Sequence, residues 1–496
     1  MSSENPLPSV QTKATPGPAP GGLGRGLFAS TTVQTGEDVL HITSPFVAVL
    51  DTQRLGDTCA GCLGKRQLET GSSLKGCTGC QVVKYCDKTC QAKDWKSAHS
   101  LECPIFQNLK PRILPNNARA VLRMVLRCGR RKYTNQELDL FSQLRTHIKE
   151  IRDQSPAQWE RISLSSKAVK AYSGTDMKEE TISAFSAKLD LNSFNLTNAL
   201  YDRIGLYLHP YAALINHSCN YNSVVGFDGD ELIIKAVRPI QKGEQIFISY
   251  IDTTNPVKLR RTELHDRYFF TCHCANCEKE LSAPDAHAQI HADAPALQAA
   301  EQNAYDLLTE CASPSDLEPE DTVQRLESTI QSLHQTYSWP VTRQPLVSLR
   351  DELIASLLSA GKFNSAFVHA AARYLRVDPV VYESESHPIR HLHAWTLARL
   401  AIHLSGGMDV CDDRAALEKS ELNFSLVIWA VLGRLVEKEG DSCTVPGFKR
   451  MVREAFGEVH REFVSGGLDP RSMEGDIRRE WERLGRIVDT VLEKGC

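Results

Sequence analysis

Eight soft metal ligands lie between residues 59 and 103 of this 496-residue chain. Their order is C-x2-C, C-x2-C, C-x3-C and H-x3-C, formed by Cys59, Cys62, Cys77, Cys80, Cys86, Cys90, His99 and Cys103. A structural zinc ion takes four thiolate or imidazole ligands, so eight ligands predict two zinc ions. Unrelated buried residues, seven thiols and one histidine, are the alternative, but they would not account for the repeated C-x2-C spacing. The segment has few apolar residues, and we therefore expect metal to supply most of its folding energy.

A second cysteine cluster reads C-x-C-x2-C and comprises Cys272, Cys274 and Cys277. Three thiolates leave a tetrahedral zinc ion one ligand short. Cys219 is the best candidate for the fourth ligand, which would make a third structural zinc site. No chemistry is predicted for the five remaining cysteines, Cys128, Cys311, Cys411, Cys443 and Cys496.

The composition is that of a soluble globular protein, with 42% hydrophobic and 24% charged residues. It excludes wholesale disorder, and a net charge of −4 argues against binding nucleic acid by bulk charge. No apolar run reaches the roughly 18 residues needed to span a membrane. The N-terminus lacks the basic and apolar regions of a secretory signal. We therefore expect an intracellular protein whose cysteines do not form disulfides.

The segments around these clusters predict two kinds of architecture. Residues 1–20 are rich in Pro, Ser and Thr and predict a disordered tail. The glycine-rich run from Gly21 to Gly26 leads into a strand, and residues 192–250 read as short strands and loops. From residue 296 onward the periodicity is helical, with a leucine stripe that ends at Gly361. A stack of helical hairpins is expected there, with a tetratricopeptide-type repeat array as the alternative.

A helix is predicted from Asn116 to Arg131 by the period of its apolar stripe. A row of arginines recurs on its other side: Arg119, Arg123, Arg127, Arg130 and Arg131. Such a row is predicted to be a solvated helix face. DNA binding through the row is a weaker alternative.

The order of the motifs is more specific than any one of them. The order is Gly24-Arg25-Gly26-Leu27, the eight-ligand segment, Asn192-Ser193-Phe194, Asn216-His217-Ser218-Cys219, Ile248-Ser249-Tyr250-Ile251-Asp252 and C-x-C-x2-C. With these motifs the chain resembles the SET and MYND domain family of protein lysine methyltransferases. The resemblance covers residues 21–277 and extends weakly to about residue 400. It implies an α+β multidomain protein with a β-rich SET domain.

The domain boundaries follow from the resemblance and the segment pattern. They are a disordered tail (1–20), the first SET segment (21–58), the MYND zinc finger (59–103), a helical insert (104–190), the SET core (191–255), a zinc-bound post-SET segment (256–280) and an all-α, tetratricopeptide-like domain (281–496). One departure lies in the finger, where three residues separate Trp95 from His99 and two are common. A one-residue bulge in a small helix would accommodate the extra residue.

The resemblance also implies roles for individual residues. Tyr250 matches the catalytic tyrosine, and Tyr268 matches the second aromatic of a channel that admits the substrate lysine. The residues that match contacts to S-adenosylmethionine are Arg25, Asn192, Asn216, His217 and Phe270. Leu23 stands where many members carry a basic residue, which implies one polar contact fewer to the carboxylate of the cofactor.

The implied activity is S-adenosylmethionine-dependent methylation of a lysine in a histone or non-histone protein. The implied setting is transcription or chromatin regulation in the nucleus, the cytoplasm or both, by a monomer. An aromatic channel suits this reaction because it disfavours the ammonium form of lysine. The alternative is an inactive adaptor that binds proline-rich proteins, since Gln91 and Trp95 match the groove of MYND fingers that bind such peptides. Retention of Tyr250 and Asn216 favours the enzyme.

Overall fold

The computed structural model describes residues 7–66, 72–282, 295–312, 318–337, 339–406 and 422–493. Its strands are β1 Val10–Thr12, β2 Ala14–Pro18, β3 Arg25–Ala29, β4 Asp38–Ile42, β5 Val47–Leu50, β6 Lys75–Gly76, β7 Lys84–Tyr85, β8 Phe194–Thr197, β9 Arg203–Leu208, β10 Asn216–His217, β11 Ser223–Asp228, β12 Glu231–Ala236 and β13 Phe247–Ile248. The helices of the first half are α1 Lys88–Asp94, α2 Ser100–Leu109, α3 Asn116–Gly129, α4 Asn135–Gln143, α5 Ile148–Gln154, α6 Pro156–Ser173, α7 Glu179–Asn192, α8 Val257–Tyr268 and α9 Ala275–Ser282. The later helices are α10 Pro295–Cys311, α11 Pro319–Thr336, α12 Leu346–Ser359, α13 Phe363–Ala372, α14 Asp378–Val381, α15 Pro388–Ser405, α16 Phe424–Glu437, α17 Pro446–Ser465 and α18 Glu474–Glu493. The predicted α+β multidomain class is confirmed.

The chain divides into two compact units. The first comprises Met1–Tyr250, Thr262–Cys272 and Val445–Phe448, and the second comprises Ile251–Arg261, His273–Thr444 and Lys449–Cys496. All the β-strands belong to the first unit, whereas the second is helical. No helix in the described ranges is long and apolar enough to cross a membrane.

Small sheets build the β-rich part of the first unit. One sheet has four strands in the order β1-β4-β12-β11, and another has three in the order β5-β9-β8. β2 pairs with β3, and the short strands β10 and β13 pair in parallel. Alternate residues of these strands are apolar and enter a shared core that includes Leu27, Leu40, Ile42 and Ile234, each fully buried.

Residues 7–18 form strands, so the prediction of a disordered tail is wrong for them. Val10 pairs with Ile42 of β4, and Ala14 pairs with Ala29 of β3. The few apolar side chains of this segment, including those of Leu7 and Val10, are buried. A Pro-rich composition hid this pattern, because strands at a sheet edge tolerate proline. Residues 1–6 of the predicted tail lie outside the described residues.

Several of the predicted helices and helix ends are confirmed. α3 covers most of the expected helix, and the helical insert is interrupted at Gly174, which has a φ of +61°. In the second unit, α12 buries its leucine stripe, formed by Leu346, Leu349, Leu353 and Leu357. Gly361, with a φ of +72°, ends that helix as expected. Successive helices from α10 to α13 pack on one another, as helical hairpins do.

Candidate metal centres and active site

The eight ligands of the finger form two separate groups, as predicted. Cys59 and Cys62 join Cys86 and Cys90, and the ligand atoms of this first group lie within 4.8 Å of one another. The second group is formed by Cys77, Cys80, His99 and Cys103, again within 4.8 Å. Each group has the donor set of a closed structural zinc site and can hold one zinc ion. The two groups interleave along the chain, so each closes a loop that contains ligands of the other.

A helix cap, a close backbone approach and a π-helical turn position the ligands of the two groups. Asp87 caps α1 by accepting a hydrogen bond from the backbone N–H of Cys90 at 2.9 Å. Gly61 allows a close approach, because a Cβ there would lie 2.2 Å from the carbonyl oxygen of Cys90. Between Trp95 and His99 the backbone forms a π-helical turn, in which the N–H of Ser100 donates to the carbonyl of Trp95. The extra residue of the finger is therefore accommodated by a bulge, as predicted.

A network of charged side chains lies behind the second group. Glu102 Oε2 is 3.7 Å from Nδ1 of the ligand His99. Glu102 also accepts two hydrogen bonds from Arg123, at 2.6 and 2.8 Å. Burial alone would raise the pKa of Glu102, but Arg123 and His99 hold it at about 2. The carboxylate therefore stays ionised beside the imidazole, in the position of an outer-shell partner of a metal site, at a distance longer than a hydrogen bond.

The arginine row of α3 is bound to the protein rather than solvated. Arg119 donates to the carbonyl of Leu50 at 2.8 Å, and Arg123 donates to Ala48 at 2.8 Å. Arg127 donates to the carbonyl of Phe46 at 2.5 Å. The prediction of a solvated helix face is therefore wrong for these three arginines. Arg130 and Arg131 are exposed, but they follow the last residue of α3 and do not lie on its face.

The geometry of a helix and a strand explains this arginine ladder. Residues four apart on α3 are about 6 Å apart along the helix axis, and alternate residues of a strand are separated by about 6.7 Å. β5 is an edge strand of its sheet, so the carbonyls on its outer side have no neighbouring strand. The arginines bind these carbonyls and thereby protect an exposed edge. They leave no continuous basic face on α3 for DNA.

The third cysteine group also forms as predicted. The thiols of Cys219, Cys272, Cys274 and Cys277 lie within 4.8 Å of one another. Arg260 lies beside Cys277, with 3.6 Å between Nη2 and Sγ, and is itself buried. The guanidinium thus places a positive charge and a hydrogen-bond donor beside this ligand. Cys128, Cys311 and Cys443 belong to none of the three groups, and Cys411 and Cys496 lie outside the described residues.

Four of the predicted site residues form one aromatic cluster. The ring centroids of Tyr250 and Tyr268 are 5.0 Å apart, and those of Tyr250 and His217 are 5.4 Å apart. Phe270 lies 5.9 Å from His217. Phe269, at a φ of +61°, reverses the chain between Tyr268 and Phe270. The structure therefore brings the two predicted catalytic tyrosines together with two predicted cofactor contacts.

Hydrogen bonds fix Tyr250 within this cluster. Its hydroxyl donates to the carbonyl of Ile215 at 2.5 Å, and its backbone N–H donates to Nδ1 of His217 at 3.1 Å. The hydroxyl of Tyr268 donates to the carbonyl of Tyr250 at 3.5 Å. Burial raises the pKa of Tyr250 well above its usual value, and the nearby Tyr268 adds to the effect. Tyr250 is therefore a neutral hydrogen-bond donor at physiological pH, not a base.

The two predicted cofactor loops are joined by a direct contact. Asn216 Nδ2 donates to the carbonyl of Arg25 at 2.9 Å. Asn216 is held in turn by the parallel pairing of β10 with β13. Asn192 ends α7, where its amide donates to the carbonyl of Lys188 at 2.8 Å. The Asn192 side chain is therefore bonded to its own helix and takes no part in the contact between Asn216 and Arg25.

Asn222 organises the same loops and was missed by the sequence analysis. It is fully buried, and its side-chain oxygen accepts from the N–H of Phe247 at 2.8 Å. Its side-chain nitrogen donates to the carbonyl of Gln245 at 2.8 Å. A single asparagine thus fixes the strand that leads to Tyr250. No spacing distinguishes it in the sequence, because its role depends on contacts distant along the chain.

An orphaned amide marks the place where the two loops meet. Gln245 is 7% exposed, and its Nε2 has no hydrogen-bond partner among the described residues. A Cβ on Gly26 would lie 2.5 Å from this nitrogen and 3.1 Å from Nδ2 of Asn216. An unpaired buried donor is costly unless a ligand or water satisfies it. These unsatisfied and closely packed polar groups fit a polar ligand such as S-adenosylmethionine beside the glycine-rich loop.

Comparisons with known proteins agree with these motifs. A SET domain model matches residues 24–251. The chain is 27% identical over 355 residues to "SET domain and MYND-type zinc finger protein 6" of Schizosaccharomyces pombe, an alignment that covers 71% of this chain and 65% of that protein. It is 30% identical over 264 residues to "Histone-lysine N-methyltransferase SMYD3" of Mus musculus, which covers 52% of this chain and 60% of that protein. The matched region thus spans less than two thirds of each relative.

A solved structure, "Crystal structure of the SET domain of LSMT bound to Lysine and AdoHcy", aligns with 92% of this chain and 88% of that one at 13% identity. The TM-score is 0.26, which is too low to support an argument.

Proposed function

Because the chain belongs to the SET and MYND domain family, we propose that it is an S-adenosylmethionine-dependent protein lysine N-methyltransferase. The observation that carries the proposal is the cluster of Tyr250, Tyr268, His217 and Phe270. The contact between Asn216 and Arg25 joins this cluster to the glycine-rich loop. Enzymes of this type need an aromatic channel and a cofactor pocket next to each other.

The cofactor would be held by residues of these loops. We assign its binding to Arg25, Asn192, Asn216, His217 and Phe270. When bound, S-adenosylmethionine supplies a methyl group activated by a sulfonium. The orphaned amide of Gln245 and the glycines of the loop support a polar ligand at this place.

The two tyrosines would prepare the lysine. A free lysine has a pKa near 10.4, so most of it is protonated and cannot attack a methyl group. A channel lined by Tyr250 and Tyr268 excludes water and disfavours the ammonium, which lowers that pKa. Holding amine and methyl in line contributes up to about 7–11 kcal/mol to the lowering of a barrier. The zinc sites take no part in the step and act by holding the loops.

A transfer assay tests this function. Purified protein is incubated with S-adenosylmethionine labelled in its methyl group and with a panel of histones and cell-lysate proteins. Tyr250→Phe removes only the hydroxyl that donates to Ile215, and we expect transfer to fall at least about tenfold. Tyr172→Phe, on an exposed tyrosine, is the matched control. Absence of transfer by the wild type, or an unchanged rate for Tyr250→Phe, would contradict the proposal.

The substrate and setting are further parts of the proposal. We propose a protein or peptide lysine as the acceptor, in histone tails or non-histone proteins, and a role in chromatin or transcription. We place the protein in the nucleus, the cytoplasm or both, as a monomer. Mass spectrometry of the labelled products identifies the lysine, and cell fractionation and sedimentation test the location and the oligomeric state.

An adaptor function is the second candidate, and one observation favours it as a second activity beside methyl transfer. Trp95 is 46% exposed, which is unusual for a tryptophan, and Gln91 lies one helical turn before it. We propose that these two side chains bind proline-rich partners. Titration with a proline-rich peptide tests this: Trp95→Ala should abolish binding and leave methyl transfer unchanged. Equal binding by Trp95→Ala would exclude this site.

A further inference from the structure

A short segment of the helical insert lies against the elements assigned to cofactor binding. It runs from Gln143, at the end of α4, to His147. Lys188 of α7 holds the residues just before this segment, because the lysine ammonium donates to the carbonyls of Phe141 at 2.8 Å and Ser142 at 2.7 Å. At its other end the ring of His147 stacks on Phe269, with centroids 5.3 Å apart and an interplanar angle of 23°. The segment is therefore held in place at both ends.

Two side chains of this segment reach the glycine-rich loop. Gln143 accepts a hydrogen bond from the guanidinium of Arg25. Arg145 extends over Gly24, since a Cβ on that glycine would lie 3.3 Å from Nη2 of Arg145. A side chain at position 24 would thus displace the guanidinium, and the φ of +78° also suits glycine.

The charge around this loop is unbalanced. Arg25 and Arg145 are both exposed, and neither forms an ion pair with a carboxylate within the part of the chain that the structure describes. Arg25 donates only to a neutral amide, and Leu23 of the same loop is apolar and 40% exposed. One guanidinium on the loop and one beside it, without a carboxylate partner, favour an anion between or beside them.

We propose that Arg145 binds the carboxylate of S-adenosylmethionine. This inference rests on the proposed function, which brings that cofactor to the loop. The carboxylate is the anionic group of the cofactor, and a guanidinium binds it with two parallel hydrogen bonds. Arg145 thereby supplies from the helical insert the cation that Leu23 does not supply from the loop. No motif indicated Arg145 in the sequence, because it is distant from the loop along the chain.

Binding of two nucleosides tests the proposal by calorimetry without any turnover. S-Adenosylhomocysteine carries the carboxylate, whereas 5′-methylthioadenosine has the same nucleoside and a thioether but no amino-acid end. For Arg145→Met we expect an affinity for S-adenosylhomocysteine at least about tenfold weaker and an affinity for 5′-methylthioadenosine within about twofold of the wild type. Lys149→Met removes one exposed positive charge four residues away and should bind both ligands as the wild type does.

The calorimetric results distinguish failure of the Arg145 assignment from failure of the proposed methyltransferase function. If the wild type binds S-adenosylhomocysteine and Arg145→Met binds it equally well, the role of Arg145 is wrong and the function stands. If Arg145→Met weakens both ligands by the same factor, the carboxylate is not its partner, and the proposal is again overturned. If the wild type binds neither ligand, the function and the inference fail together. Partial recovery in Arg145→Lys, which keeps the charge without the fork, would support the assignment.

Discussion

The zinc finger and the helical second unit are stabilised in opposite ways. In the finger, from Cys59 to Cys103, most of the buried apolar residues are the ligand cysteines themselves. The buried side chains of α12, α15 and α16 are instead mainly those of leucines, alanines, valines and tryptophans. The finger therefore depends on ligands and charge contacts that must all be present. The helices depend on many apolar contacts, no single one of which is essential. Substitutions and pH changes that affect the two regions differently should therefore show which of these two ways stabilises each region.

Loss of one zinc ligand should have the largest effect. Cys77→Ser removes a ligand of the second group, and structural zinc contributes about 10–16 kcal/mol to the folding of small metal domains. Because the two groups interleave, we expect metal analysis to show the loss of both zinc ions of the finger. Protease cleavage should then extend through the finger and leave the helices α12, α13, α15 and α16 uncut.

Cys128→Ser is the matched control, because Cys128 belongs to no ligand group. It should keep the wild-type zinc content and protease pattern. Full zinc content in Cys77→Ser would show that the four-ligand assignment is wrong. Cleavage confined to one half of the finger would show that the two centres fold independently.

Removal of Arg123 should have the next largest effect. Arg123→Met leaves Glu102 buried without its cation and frees the carbonyl of Ala48. Breaking a buried ion pair costs about 3–5 kcal/mol. Urea unfolding of the first unit, followed through the finger's protease sensitivity, should show this loss. The exposed Arg130→Met should change the free energy of unfolding by less than about 0.5 kcal/mol.

A double variant sharpens the test of the network. Arg123→Met with Glu102→Gln removes both charges, so part of the lost stability should return. If the double variant is as unstable as the sum of the single variants, the two residues act independently. The arginine would then matter for the edge of β5 and not for the charge behind His99.

The sequence predicted local chemistry better than long-range partners. Ligand spacing such as C-x2-C is a local signal, because both thiols must reach one ion from a single turn. It did not predict which ligands pair, since that depends on how the chain folds back. The row from Arg119 to Arg127 looks the same in sequence whether carbonyls or water accept its hydrogen bonds. Asn222 and Arg145 carry no pattern at all, because their partners lie far along the chain.

The same limit applies to the fold. Helices were predicted well, because an apolar stripe and a terminal glycine such as Gly361 act within one element. The strands of residues 7–18 were missed, because pairing with β3 and β4 stabilises them and their own composition does not. Tyr250 and Asn216 could be assigned roles from the sequence because they lie in short motifs that a resemblance can match. Their mutual arrangement needed the structure.

A change of pH should have the smallest effect, and one part of it falls on His369 in the helical unit. His369 of α13 is buried, and its Nδ1 accepts from Arg350 of α12 at 2.7 Å. Burial and the charge of Arg350 lower its pKa to about 3, so the folded protein keeps it neutral. An unfolded histidine titrates near 6.5, so the unfolded state binds more protons below that pH. Its stabilising contribution is complete above pH 6.5 and is lost as the pH falls toward 3, by up to about 1.4 kcal/mol for each pH unit.

His369→Gln isolates this contribution, because the amide oxygen can still accept from Arg350 but does not titrate. Urea unfolding at pH 7 and pH 5, followed by circular dichroism, should show a smaller loss of stability in the variant by about 1–2 kcal/mol. His387 and His391, whose pKa values burial lowers to about 3 and about 4, keep part of the slope. His265→Gln, on an exposed histidine, is the matched control. Identical pH dependence in His369→Gln and the wild type would mean that other groups, such as the buried His209 of the first unit, carry the acid sensitivity. The contrast with the finger would then rest on metal alone.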